Sequence, residues 1–109
     1  MIHLQYADFF KDSDAAESAV IINELNADEL YLTVRSGSTV DLTVKGLTDD
    51  TEDVSENWLT MRVMNMQTFE MDDSIEAAGQ YGVPLGAVGR IKIENSGGQV
   101  TVFGIFGNK

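Results

Sequence analysis

Hydrophobic residues recur at every second position through most of this chain, and that pattern constrains its fold more than any other feature. In Leu30-Tyr31-Leu32-Thr33-Val34-Arg35, the residues Leu30, Leu32 and Val34 share one face while Tyr31, Thr33 and Arg35 share the other. A helix needs a period near 3.6, so the segment reads as a half-buried antiparallel strand. Val40, Leu42 and Val44 alternate with Asp41, Thr43 and Lys45 in the same way. Between the two lies Ser36-Gly37-Ser38, where Gly37 can take the positive φ of a tight turn, so a β-hairpin is expected from Glu29 to Lys45. A second hairpin is expected where Arg90-Ile91-Lys92-Ile93-Glu94 runs through Asn95-Ser96-Gly97-Gly98 into Gln99-Val100-Thr101-Val102-Phe103-Gly104-Ile105-Phe106.

The rest of the chain is read as strand with less regularity. Trp58 to Met64 alternates with Leu59, Met61 and Val63 on one side, and Phe69 and Met71 continue the sheet after a kink near Asn65. Gln80-Tyr81-Gly82-Val83-Pro84-Leu85 holds the only Pro, which cannot donate to a ladder, so an edge or bulged strand is expected there. The β-branched run Val20-Ile21-Ile22 favours a strand between Ser18 and Leu25, and Ile2, Leu4 and Tyr6 suggest an N-terminal edge strand. Seven to eight short strands with turn signals every 8–12 residues or so describe an all-β antiparallel β-sandwich, jelly-roll-like. At 109 residues this is one domain, residues 1–109. The core is expected to be Leu32, Val34, Leu42, Val44, Leu59, Met61, Ile91, Ile93, Val100 and Val102.

Charge and composition narrow the function. Seven Lys and Arg against 18 Asp and Glu give a net charge of −11, which repels phosphate backbones and anionic headgroups, so neither nucleic acid nor a membrane surface is an expected partner. Without any Cys there is no disulfide framework, thiolate metal site or cysteine nucleophile, and the single His, His3, leaves only one candidate imidazole base. The start, Met1 to Tyr6, lacks a basic leader, and no apolar run is long enough to span a membrane.

Thr48 to Asn57 carries five carboxylates and no base, and Asp49, Asp50, Glu52 and Asp53 are the candidates there for calcium ligands. Their spacing lacks the Asp-x-Asp-x-Asp-Gly order of a calcium loop, so a mobile, solvated loop without metal is expected. Asp72 with Asp73, and Asp12 with Asp14, read as surface turns. Glycoside hydrolysis needs two acids across a cleft, one with a raised pKa, whereas the acids here fall at outward or loop positions, so no enzyme and no cofactor is expected. A sugar face stacks on an exposed aromatic ring, which makes Tyr31 and Tyr81 candidates for glycan stacking. Trp58, at a strand start after a polar loop, reads instead as a plug at the end of the core. Met61, Met64, Met66 and Met71 read as core and gap filling. The glycines of the last third mark turns and close strand approach and match no phosphate loop.

The order of features from Val44 onward resembles a known group. Val44-Lys45-Gly46, a polar loop, Trp58-Leu59, Ile75 with Gly79-Gln80-Tyr81, Gly89-Arg90-Ile91-Lys92-Ile93 and Gly97-Gly98-Gln99-Val100-Thr101-Val102-Phe103-Gly104 follow one another. This succession resembles small β-sandwich structural proteins of tailed bacteriophages and prophages. The resemblance implies a virion component made in a bacterial cytoplasm, of the capsid-decoration, head-fibre or tail-associated type, whose partners are other virion proteins. Within these 109 residues there is no collagen-like or coiled-coil stretch of the kind that longer fibre proteins carry, so a long-fibre role is not what the resemblance implies. From Val102 onward the last segment is apolar on both faces, so Phe103, Ile105 and Phe106 are expected to form an interface in a homo-oligomer, three-fold on the phage analogy. The alternative is a carbohydrate-binding β-sandwich module using Tyr31 or Tyr81; an acidic metal-dependent hydrolase is a distant third.

Overall fold

A computed structural model describes residues 4–13, 18–24, 26–36, 39–48 and 52–107. Among these, ten strands form: β1 Leu4–Ser13, β2 Ser18–Ile22, β3 Glu29–Arg35, β4 Leu42–Thr48, β5 Leu59–Thr60, β6 Val63–Asn65, β7 Met71–Asp72, β8 Gly79–Pro84, β9 Val88–Asn95 and β10 Val100–Gly107. One 3₁₀ turn covers Ser55–Asn57. The strands build a six-stranded sheet in the order β1-β10-β3-β8-β6-β7 and a four-stranded sheet in the order β2-β9-β4-β5. All pairings are antiparallel. Leu30, Leu32 and Val34 of β3, Leu42 and Val44 of β4, Ile91 and Ile93 of β9, and Val102 and Phe106 of β10 meet in one buried cluster between the sheets. The expected all-β sandwich is therefore the fold. Its strand count passes the expected seven or eight because the middle of the chain forms three strands of only two or three residues, β5, β6 and β7.

Both expected hairpins are corrected. β3 pairs with β10 and β8 in the larger sheet, while β4 pairs with β9 and β5 in the smaller. Likewise β9 and β10 lie in different sheets. Each pair is an arch that crosses the core, so its two apolar faces look at each other instead of lying side by side. The arches support one another. Ser96 N–H donates to Asp41 O at 2.9 Å and Gly98 N–H to Thr39 O at 2.7 Å, and Ser36 Oγ donates to Gln99 O at 2.7 Å. Asn95, only 2% exposed, ties the β9–β10 arch by donating to Gly98 O and accepting from Gly97 N–H. Gly37, expected in the first turn, lies outside the described residues. Buried Asn23 does the corresponding work between β2 and β3, donating to Ala27 O and Val88 O and accepting from Ala27 N–H.

Three local expectations also change. β8 is an interior strand between β3 and β6, and its Pro84 is tolerated because β6 reaches only Tyr81 and Gly82. Leu59, expected in the core, is 64% exposed, because the chain pairs with β4 for only Leu59 and Thr60 before crossing to the other sheet, and alternation read through that crossing loses its parity. Near Asn65 the chain reverses instead of kinking, with Phe69 N–H donating to Asn65 O at 2.7 Å and Phe69 at φ 62°. The other expected core residues are buried, with Met61 packed partly buried against them.

Candidate functional site

The outward face of the six-stranded sheet carries an unbroken row of apolar positions. Cross-strand partners run Tyr6 to Ile105, Ile105 to Tyr31, Tyr31 to Gly82, Gly82 to Met64 and Met64 to Met71, one position on each of the six strands. Pleating sends alternate residues to opposite faces, so with Leu30 and Leu32 in the core Tyr31 must face out, and the same parity turns Phe103 and Ile105 outward on β10. Tyr6 is 76% exposed, Tyr31 40% and Met71 39%. The parallel row beside it runs Asp8, Phe103, Thr33 and Gln80. Arg35 lies over the Phe103 ring at 5.4 Å from its centroid, which shields one face of the aromatic and holds the guanidinium over the sheet. Between these rows a cavity of about 220 Å³ opens, lined by Tyr31, Thr33, Met66, Gln80, Phe103 and Ile105 among others.

Of the expected interface residues, Phe103 and Ile105 fall on this face and are half-buried. Phe106 does not: it is fully buried, in register with Leu30 and among the core side chains. The apparent excess of apolar residues in β10 is thus divided between the core (Val102, Phe106) and the outer face (Phe103, Ile105). The two tyrosines expected to stack glycans are also separated. Tyr31 is on the outer face, but Tyr81 points inward, is 5% exposed and donates from its hydroxyl to Ala77 O at 2.7 Å. Burial pushes the Tyr81 phenol above its ordinary value of 10.0. Met64 and Met71, expected as core filling, instead help to pave the outer face. Alternation in Leu4 and Tyr6 signalled the first member of the row, whereas Gly82 and Met71 carried no signal that pointed outward.

The smaller sheet faces out differently. Three of the seven cations collect on it, Lys45, Arg90 and Lys92, with Lys45 directly across from Lys92. Like charges at such a pair repel, and both are compensated: Lys45 pairs with Glu94 at 2.8 Å, and Lys92 lies 4.4 Å over the Trp58 ring. Trp58 Nε1 donates to Asp53 Oδ1 at 2.7 Å, and Asp53 Oδ2 is 3.5 Å from Arg90. Trp58 is buried as expected, but against this outer face and not within the central cluster. The acidic segment is therefore anchored at Asp53 and is not a free loop there. Its Asp49 and Asp50 lie outside the described residues, as does His3. Among the described residues no group of three or more His, Asp or Glu side chains is placed to hold a metal ion, and no helix is long and apolar enough to cross a membrane.

No protein-family model matches the chain, and no curated protein sequence matches it. Solved structures do. SPBc2 prophage-derived protein YomS superimposes with a TM-score of 0.83 at 14% identity, over 99% of this chain and 96% of that one. The fold is shared with prophage-derived proteins. PBSX exported protein XepA superimposes with a TM-score of 0.82 at 15% identity, over 98% of this chain but only 38% of that one. In YomS the same sandwich accounts for nearly the whole molecule, while in XepA it is one part of a longer chain.

Proposed function

We propose that this protein is a non-enzymatic structural component of a phage or prophage particle, which binds other virion proteins and itself through the outer face of its six-stranded sheet. The row Tyr6, Ile105, Tyr31, Met64 and Met71 carries the reading, since it crosses every strand of the sheet without a charged residue. Surface apolar residues scattered singly need no explanation, but a contiguous band of them is what a protein contact requires. Within those two rows only Asp8 brings charge, in a chain whose total is −11. The shared fold of two phage-related proteins supports the particle context. The test is the composition of density-purified particles of the phage that encodes the chain. The protein should co-purify with them, and a Tyr31→Glu variant that folds should be lost from them; a chain that stays wholly in the soluble lysate overturns the reading.

A carbohydrate-binding reading has one observation in its favour, the half-exposed Tyr31 ring beside a cavity that also presents Thr33 and Gln80. Glycan-array binding that Tyr31→Ala abolishes would bring it forward.

A further inference from the structure

Resting on that reading of the face, we infer that its first occupant is a second copy of this chain, turned by half a rotation about an axis running along β10. β10 lies between β1 and β3. Such an axis therefore exchanges β1 of one copy with β3 of the other while preserving position along the strands. Three consequences follow from the registers. Phe103 and Ile105 meet their own counterparts on the axis. Tyr6 shares its row with Tyr31 through Ile105, so Tyr6 of each copy comes over Tyr31 of the other, at the mouth of the cavity. Asp8 shares its row with Thr33 through Phe103, so Asp8 of one copy arrives over Thr33 of the other, one side-chain step (about 7 Å along the strand) from Arg35.

The charge pattern selects this occupant. Among the described residues neither Asp8 nor Arg35 makes an ion pair within the chain. Arg35 is held over Phe103, whose row is the one that the incoming Asp8 would share. The half-turn makes the contact twice, Asp8 to Arg35 and Arg35 to Asp8, so an acidic chain that repels its own copies elsewhere finds a self-complementary surface here. The most exposed aromatic of the face and its cavity are placed to be filled reciprocally by the same rotation.

Charge reversal tests the arrangement, with mass measured by light scattering at about 100 µM in about 150 mM salt, where repulsion between whole molecules is screened. Wild type is expected to be a dimer. Asp8→Arg sets a second guanidinium against Arg35, and Arg35→Glu sets a second carboxylate against Asp8, so each variant alone should self-associate at least about tenfold more weakly. Mixed one to one, the two variants should recover the dimer, because one contact is native and the other is the same pair reversed. Both sites are exposed, and unchanged circular dichroism will show that the fold persists; Tyr6→Ser, which removes the ring without touching charge, should weaken the dimer as well. A dimeric wild type indifferent to both reversals overturns this arrangement and leaves self-association standing. So does a dimer that is weakened by each reversal but not recovered on mixing. A trimer overturns the two-fold axis, and a wild-type monomer overturns self-association itself while leaving incorporation into particles, read separately, untouched.

Discussion

Tyr31 and Tyr81 sit one position out of register on paired strands, since Tyr31 is partnered by Gly82 and Leu32 by Tyr81, and that single step separates a surface ring from a buried one. The buried phenol has a measurable consequence. Its pKa is raised by desolvation, so the fold favours the neutral form. The stabilisation is complete below the unfolded value near 10 and is lost as pH rises from there through the folded value. Denaturant titrations between pH 9 and 11 should show wild type losing more stability than Tyr81→Phe, although at pH 7 that variant is expected to be less stable by about 1 kcal/mol through the lost bond to Ala77 O. Equal slopes for the two proteins would mean that the phenol is not desolvated. Ile91 and Leu59 make a second residue-scale contrast. Ile91 is fully buried, and its truncation to Ala should cost about 2–5 kcal/mol. Leu59, 64% exposed, should lose under about 0.5 kcal/mol in the same assay. A large loss at Leu59 would place β5 inside the core after all.

At the scale of elements, what holds the sandwich is the meeting of its two arches. A methyl group built on Gly97 would lie 2.6 Å from Thr39 O and 2.7 Å from Asp41 N, both backbone atoms of the other arch. Gly97→Ala must therefore push the arches apart, and about 1–3 kcal/mol of destabilisation is expected from such overpacking. Gly86 is the control. It has φ +58° with nothing within 4 Å of the added carbon, so Ala there should cost only about 1 kcal/mol of backbone strain. Chemical denaturation of both variants checks the order; the reverse order would mean that the arches do not touch at Gly97. These arches also show what the sequence made legible and what it hid. Period-two alternation placed Leu30, Leu32, Val34, Leu42, Val44, Ile91, Ile93, Val100 and Val102 on inward faces, and all of them are buried. Alternation says which side of a strand is wet, yet a hairpin and a cross-core arch obey the same alternation, so it could not say which sheet a strand joins. Six of the nine connections between the described strands change sheets. The outer-face row was hidden for the same reason, because Tyr6, Ile105, Tyr31 and Met64 are neighbours only once the order β1-β10-β3-β8-β6 is known.

For the molecule as a whole, charge and the apolar face act against each other. Two bodies of −11 stacked at the short molecular dimension of 24 Å repel by about 20 kcal/mol in unscreened water, treating each as a point charge. With a Debye length of about 30 Å in 10 mM salt, nearly half of that remains, whereas at about 8 Å in 150 mM salt roughly 1 kcal/mol survives. The exposed Asp8–Arg35 contacts between copies weaken over the same range, but each is worth only about 0–1 kcal/mol. Repulsion between whole molecules therefore decides the sign, and self-association through the six-stranded sheet should strengthen with added salt. A contact in which the cationic face, with its Lys45, Arg90 and Lys92, met an acidic surface of another copy strongly enough to exceed that repulsion would behave oppositely, since screening removes the attraction that drives it. Sedimentation equilibrium of wild type from 10 to 150 mM NaCl distinguishes the two. We expect the dissociation constant to fall at least about tenfold as salt rises. A constant that rises would move the contact from the apolar sheet to the cationic one.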